Sequence, residues 1–355
     1  MSWLIYAFGG GWGHLMRALA LGRIAAQTRP VTILTNSPYV AYLSNSPPPL
    51  VANCYIQAIP SQATFTQTCD RVRQVVASLY YDCLIVDTFP RGLGGELADI
   101  LPQLKSIPRI LVHRDLNPEY VRAKDLRRFV AGNFDLVLIP GEIGELPLAQ
   151  LPQVNHTAPW LFKSAGELPN RADSRALLRL DYLLHLDYSE GKVVLVCAAG
   201  RAEELSFYGQ LTRDLANSLT NVTVRCLSAE CPENCPPELW VFHWPGIDCL
   251  PAADVVVGGA GYNTFYECVS VGVPLVAFAF KRQYDRQQMR VSRWCHQQKL
   301  PSVRLVKSAQ EAKIAIADFL QLPRRNPPSF VNGAIAAVQI IEYATASRLL
   351  RHNGT

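Results

Sequence analysis

Short apolar runs that end in glycine-rich or polar turns, alternating with stretches of helical spacing, most constrain what this chain can become. LIYAF (residues 4–8) reads as a buried strand, GGGWG (9–13) as a loop, and HLMRALALGRIAAQ (14–27) as a helix favoured by its Ala and Leu content; VTILT (31–35) is the next strand. YDCLIVDTFP, PRILVHRD and FDLVLIP carry further strands ending near Asp87, His113 and Pro140. Strands alternating with helices predict an α/β fold with a doubly wound parallel sheet, which binds ligands at the carboxyl ends of its strands. Regularity then lapses until Lys192, across a Gly-, Pro- and polar-rich stretch expected to hold a domain junction. From KVVLVCAAGRAEELSFYGQLTRDLA the pattern restarts, with VTVRCLS, LWVFHW, ADVVVGG and VPLVAFAF as further strand candidates.

The expected organisation is an amino-terminal domain over 1–158, a linker region over 159–190, a second domain over 191–330 and a closing amphipathic helix over 331–355, with apolar residues at Ile335, Val338, Ile341 and Leu349. A length of 355 residues suits two such domains. Hydrophobic residues make up 49% and charged residues 18%, which excludes a disordered or polyelectrolyte chain. The longest apolar runs, such as VPLVAFAF, fall far short of the ~20 residues that span a bilayer. The opening WLIYAF lacks a basic region and runs into glycines, so a secretory signal is not expected. The ten cysteines are scattered, several within strand-like runs, as for reduced thiols in a cytoplasmic protein. Cys226, Cys231, Cys235 and Cys249 with His243 match no paired zinc spacing, and a plain loop is expected there. A net charge of +5, with no massed basic run, argues against nucleic acid as a partner.

GGGWGH invites a dinucleotide reading, because a glycine loop between strand and helix lets backbone N–H groups approach phosphate. The pattern's last glycine is replaced by His14, and no Asp or Glu precedes Asp70, so the carboxylate that would hold a ribose is missing. What remains is a histidine at the mouth of the sheet, where a helix amino terminus favours the neutral, proton-accepting imidazole. His14 is therefore a candidate base; capping the helix or packing beside Trp12 is the structural alternative. Asp87, at the end of its own strand, could orient that imidazole, or could simply form a turn before Thr88 and Phe89. His113 is a competing acid–base or acceptor-contact candidate.

The stretch GGAGYNTFYECVSVGVPLVAFAFKRQYDRQQ (258–288) holds a second glycine loop opening a helix, with Glu267 further in. An anionic group suits the helix amino terminus, whereas a carboxylate is suited to sugar hydroxyls, which it accepts strongly. The run resembles the donor-nucleotide motif of GT-B glycosyltransferases: GYNTFYE is similar to the GWNSTLE core of UDP-glycosyltransferases that modify small molecules. VGVP and DRQQ are similar to parts of the family 28-like N-acetylglucosaminyltransferases that make lipid II. GGGWGH resembles the acceptor-side glycine loop of those enzymes, and HRDLN matches their HEQN stretch in position, so the resemblance covers both halves.

The resemblance implies two facing Rossmann-like domains with a cleft between them, and inverting sugar transfer from a nucleotide-sugar, with UDP the expected nucleotide, to an unidentified acceptor hydroxyl. The nucleotide-sugar is a co-substrate, no other cofactor is implied, and with no D-x-D sequence no metal is expected. Glu267 would bind the ribose, Gly261, Asn263 and Thr264 the pyrophosphate, and Gln287 with Gln288 the donor sugar. His243 and Trp244 fall where the family contacts the base, and Gly200 and Arg201 at its other phosphate loop. Gly11, Gly13 and His113 would face the acceptor, with His14 as base and Asp87 as its orienting partner. The chain departs from the family in three places. Gly259 stands where plant members carry His and the lipid II enzymes Arg, Glu203 and Glu204 follow the CAAGR loop, and Met289 follows Gln288. Related alternatives are a nucleotide-sugar 2-epimerase or hydrolase of the same fold, or a binding protein without transfer activity. The lipid II enzymes work at a bilayer surface, but with three arginines before Asp70 the attraction to anionic lipid is weak, and peripheral membrane contact is not predicted.

Overall fold

A computed structural model describes residues 1–44, 51–180, 191–297, 302–323 and 329–353. In chain order its elements begin β1 (Trp3–Tyr6), α1 (Trp12–Ala25), β2 (Val31–Thr35), α2 (Val40–Ser44), β3 (Cys54–Ala58), α3 (Phe65–Ser78), β4 (Cys83–Asp87), β5 (Arg109–Val112), α4 (Pro118–Ala123), α5 (Leu126–Asn133), β6 (Leu136–Pro140) and β7 (Val154–Thr157). They continue α6 (Arg171–Leu177), β8 (Lys192–Cys197), α7 (Ala202–Ser218), β9 (Val222–Leu227), β10 (Trp240–Val241), β11 (Val255–Gly259), α8 (Tyr262–Val271), β12 (Leu275–Phe278), α9 (Gln287–Gln297), β13 (Val303–Val306), α10 (Ala309–Gln321) and α11 (Gly333–Asn353). Two compact units result: unit 1 is Met1–Phe162 with Gln283–Arg286 and Asn332–Thr355, and unit 2 is Lys163–Arg282 with Gln287–Val331. Of the linker expected over 159–190, residues 181–190 lie outside the described residues, and its described part holds α6. No helix among the described residues is long and apolar enough to cross a membrane.

Unit 1 is a parallel sheet in the order β3-β2-β1-β4-β5-β6-β7. The strand order reverses between β1 and β4, so the loops after these strands open side by side, the place where doubly wound sheets bind ligands. The central strands are buried throughout, as strands covered by helices on both faces must be. Two expectations change. Helix α1 starts at Trp12, two residues before the expected start, which sets His14 inside its first turn. The lapse after Pro140 conceals β7, whose VNHT is polar and half exposed because it closes the sheet's edge, where one side meets no neighbour. The closing helix α11 buries Ala334, Ala337, Val338 and Ile341, while Ile335 is exposed; the side chain of Leu349 lies outside the described residues.

Unit 2 repeats the plan with the parallel order β10-β9-β8-β11-β12-β13. Its reversal lies between β8 and β11, which brings the CAAGR and GGAGY loops together at the carboxyl edge. Only Trp240 and Val241 of the expected LWVFHW strand pair with β9, because the chain turns at Pro245 into a short 3-10 helix, Gly246–Ala252. The unit's core gathers Val194, Val196, Tyr208, Leu211, Val257, Val276 and Ile316.

Candidate functional site

In unit 1, His14 Nδ1 lies 2.5 Å from Asp87 Oδ2. Asp87 is itself gripped by Arg17, whose Nε donates to Oδ1 and whose Nη2 donates to Oδ2, both at 2.6 Å. The Thr88 hydroxyl accepts from Arg17 Nη2 at 3.1 Å and donates to Asp87 Oδ2 at 3.2 Å. Sequence reasoning missed Arg17. Its signal was a cation three residues after His14 within a largely apolar stretch of the helix, where an arginine needs a partner to be buried.

Burial alone would raise the Asp87 carboxyl, but the Arg17 guanidinium and the His14 contact outweigh it and hold it well below the usual carboxylate range. Asp87 is thus an anion at any ordinary pH, and an anion accepts, so Nδ1 carries the imidazole proton and Nε2 keeps its lone pair. Burial also lowers His14, against the pull of Asp87, so the ring is neutral at pH 7. The helix terminus alone does not set that state.

The loop makes room for the other edge of the ring. Gly9 has φ +147°, and a Cβ there would come within 2.7 Å of His14 Nε2. Any side chain at position 9 would fill the space in front of the nitrogen. The Gly9 amide donates to Asn36 Oδ1 at 2.9 Å, tying the loop to the end of β2. Gly11 is the N-cap of α1, without a side-chain cap, and nothing would meet a Cβ at Gly13 within 4 Å. Phe89 packs 5.5 Å from the His14 ring, and Tyr284, from the Gln283–Arg286 segment, packs edge-on against Phe89 at 5.2 Å. Asp285 of the DRQQ motif pairs with Arg114 at 3.1 Å, and Arg286 pairs with Asp115. His113 is fully buried with neither ring nitrogen bonded among the described residues, and burial with the nearby Arg114 and Arg286 charges lowers it to about 3.

In unit 2, α8 begins at Gly261 with no side-chain cap and no acid in its first turn, so its leading amides have no carboxylate competing for them. Asn263 and Thr264, in that turn, are half-buried. Glu267 is half-buried, and burial with the neighbouring Asp248 charge raises it to about 7. Gln287 is buried beside Gly261, its Oε1 without a partner, whereas Gln288 is exposed. Asp248 binds Lys163 at 2.8 Å and lies 3.4 Å from His243 Nε2 through the same oxygen, while its Oδ1 is buried without a partner. Trp244 is buried, so a base reaching this point would meet backbone more readily than its ring.

The CAAGR loop is occupied differently. Gly200 has φ +144°, and a Cβ there would lie 1.9 Å from Glu204 Oε2. The Arg201 amide donates to that same oxygen at 3.3 Å, and Arg282 pairs with both carboxylate oxygens. Glu204, foreseen only as an acid near the loop, thus sits on the amino terminus of α7 as its own anion. Tyr208, one turn on, is fully buried with an unbonded hydroxyl. Among the described residues no three His, Cys, Asp or Glu side chains gather as a metal site.

No protein-family model matches the chain, and no curated protein sequence matches it. Solved structures do match over nearly its whole length. The glycotransferase of kitacinnamycin is 18% identical over 97% of this chain and 99% of its own, with a TM-score of 0.60. A Streptomyces sp. SF2575 glycosyltransferase complexed with thymidine diphosphate is 16% identical over 98% and 96%, with a TM-score of 0.58. A Polygonum tinctorium UDP-glucosyltransferase capable of glucosylating indoxyl is 15% identical over 97% and 94%, also at 0.58. At such identities the likeness is one of fold, and with the two doubly wound parallel sheets it makes this a GT-B fold.

Proposed function

We propose that the protein is a glycosyltransferase that moves a sugar, with inversion and without a metal ion, from a nucleoside-diphosphate donor, read as UDP-linked, to an acceptor hydroxyl. The observation that carries this reading is the Arg17–Asp87–His14 chain, which fixes one imidazole nitrogen and leaves the other as a base beside a glycine loop. His14 Nε2 takes the proton of the acceptor hydroxyl as its oxygen attacks the anomeric carbon from the face opposite the leaving group. The bond from that carbon to the diphosphate oxygen breaks, and the nucleoside diphosphate departs with the electron pair. The first-turn amides of α8, with Gly261, Asn263 and Thr264, would steady that charge.

Glu267 is suited to the ribose, Gln287 and Gln288 to the sugar hydroxyls, and the His243–Trp244 backbone to the base. Gly200 and Arg201 would serve the diphosphate only if Glu204 gives way. Gly11 and Gly13 would line the acceptor side, and buried His113 would do so from behind. The finer likeness to lipid II-forming, family 28-like enzymes rests on VGVP and DRQQ alone, whereas solved structures of the same fold include enzymes on small molecules such as indoxyl. A small-molecule acceptor and a cytoplasmic location belong to this reading.

A thermal-shift panel of UDP, dTDP, GDP and their sugar conjugates tests the donor, since a ligand bound by the folded state alone raises its stability. Transfer should then proceed in EDTA, and an absolute requirement for magnesium or manganese would refute the metal-free step. Consumption of donor without any acceptor would point instead to an epimerase or hydrolase. A second reading, a nucleotide-sugar-binding protein without transfer, is favoured by Glu204 filling the α7 loop and by Gly259, where a cation would otherwise stand. Binding of donor with no turnover over a broad acceptor set would select it.

A further inference from the structure

Two glycine loops open side by side in unit 2, and of the two helix termini behind them that of α7 already holds a carboxylate whereas that of α8 has no acid in its first turn. The Glu204 carboxylate covers Gly200, takes the Arg201 amide and is held by a forked pair with Arg282. Arg282 also lies over the Phe280 ring, 5.7 Å from its centroid. The neighbouring loop has Gly259 in place of a side chain, so no cation comes from that position. Standing against it is the Tyr208 hydroxyl, 3.6 Å from where a Cβ on Gly259 would lie, fully buried and with no hydrogen-bond partner among the described residues. Buried hydroxyls are nearly always bonded, so this one marks a place that a further polar group completes.

We propose that Arg282 is the cation of the diphosphate site, and that Glu204 is an internal stand-in for phosphate which the nucleoside diphosphate displaces from it. This rests on the nucleotide-sugar reading above and adds to it the residue that replaces the cation missing at position 259. A carboxylate and a phosphate both match the guanidinium fork, so the exchange trades one bidentate pair for another. The displaced carboxylate has a place to go. Tyr208 follows Glu204 by four residues on α7, on the same helix face, and its hydroxyl is a donor without a partner. The arrangement keeps a half-buried arginine paired when the site is empty and releases it only to a ligand with enough negative charge to outcompete Glu204.

The test measures binding of UDP, dTDP and GDP, and of the matching monophosphates, by calorimetry on the full chain. Arg282→Gln should erase about tenfold or more of the preference for diphosphate over monophosphate, as expected for hydrogen bonds to a charged group. Glu204→Gln should do the reverse and tighten the diphosphate by about tenfold while leaving the monophosphate within a factor of two, because glutamine keeps the helix cap and removes the competing charge. A gain in affinity cannot come from a damaged fold, so the second variant stays decisive if the first unfolds. Unchanged or weakened diphosphate binding in Glu204→Gln overturns this proposal alone. Absence of binding by the wild-type protein to every nucleotide overturns it together with the donor reading.

Discussion

In unit 1 the His14 base is already bonded to its partners, with His113 the unbonded exception, while unit 2 holds several polar side-chain atoms with no partner among the described residues. His14, Asp87, Arg17 and Thr88 form a closed set of hydrogen bonds. Gln287 Oε1, Tyr208 Oη and Asp248 Oδ1 are buried with no partner among the described residues around the second unit's carboxyl edge. The difference separates two tasks. A base must be oriented and in one protonation state before substrate arrives, so its partners are built in. A recognition group is completed by its ligand, and until then it bears the cost of an unmade bond.

The largest effect should come from breaking the closed set at its reactive end. His14→Ala should lower transfer by about ten-thousandfold, the upper range for a positioned base, and leave donor affinity within a factor of two. Steady-state rates beside donor calorimetry check it; intact transfer would remove His14 from the mechanism. Next is Asp87→Asn, which strands Arg17 as a buried charge and frees His14 to flip its tautomer. Stability should fall by about 3–5 kcal/mol, the cost of breaking one side of a buried pair, with at least about a hundredfold loss of rate, the lower range for a positioned acid–base group. Adding Arg17→Met should restore much of the stability in urea titrations and none of the rate, because only the first loss comes from the stranded charge.

How much of this was legible differs between the same two regions. His14 and Asp87 could be found because each belongs to a local motif at a strand's carboxyl end, His14 just past the glycine loop after β1 and Asp87 as the last residue of β4, and strand ends share one edge of a parallel sheet. That β4 lies beside β1 is what makes them touch, and nothing within either motif encodes it. Arg17 was hidden because a helical arginine ordinarily reads as a solvent-facing charge. The edge strands β3 and β7 were missed since CYIQA and VNHT carry no continuous apolar run, which only strands covered on both faces require. In unit 2 the glycine loop and Glu267 stood out by spacing, but the Glu204–Arg282 pair joins residues 78 apart and changes what CAAGR can bind. Local sequence named the loops; tertiary pairing decided which of them is open.

A smaller effect should separate recognition from chemistry. Glu267→Gln replaces a charged acceptor with a neutral one of the same shape, so donor affinity should fall by about tenfold, within the range for hydrogen bonds to a charged group. Turnover at saturating donor should be nearly unchanged. The comparison would fail if this variant lost rate and kept affinity, since Glu267 would then belong with the base.

The finest distinction lies in pH. Burial and the Asp248 charge raise Glu267 to about 7, so below that value the carboxyl is neutral and above it ionised. Ribose hydroxyls donate more strongly to the ionised form, so binding draws the proton off, and affinity must climb as pH rises through 7. For a free-state value near 7 and a bound state well below it, linkage allows about a tenfold gain from pH 6 to pH 8. A sugar-linked diphosphate is the right probe, because a terminal phosphate titrates near 6 and would add a slope of its own. His14 moves oppositely: its value is lowered, so it is already neutral at pH 7 and above, and the saturated rate should stay flat from pH 7 to 8 and fall only on the acid side of the ordinary histidine range. A donor-affinity slope that vanishes in Glu267→Gln, beside a saturated rate that does not change, would assign the two titrations to separate units. A slope that survives the substitution would mean that Glu267 does not meet the ribose.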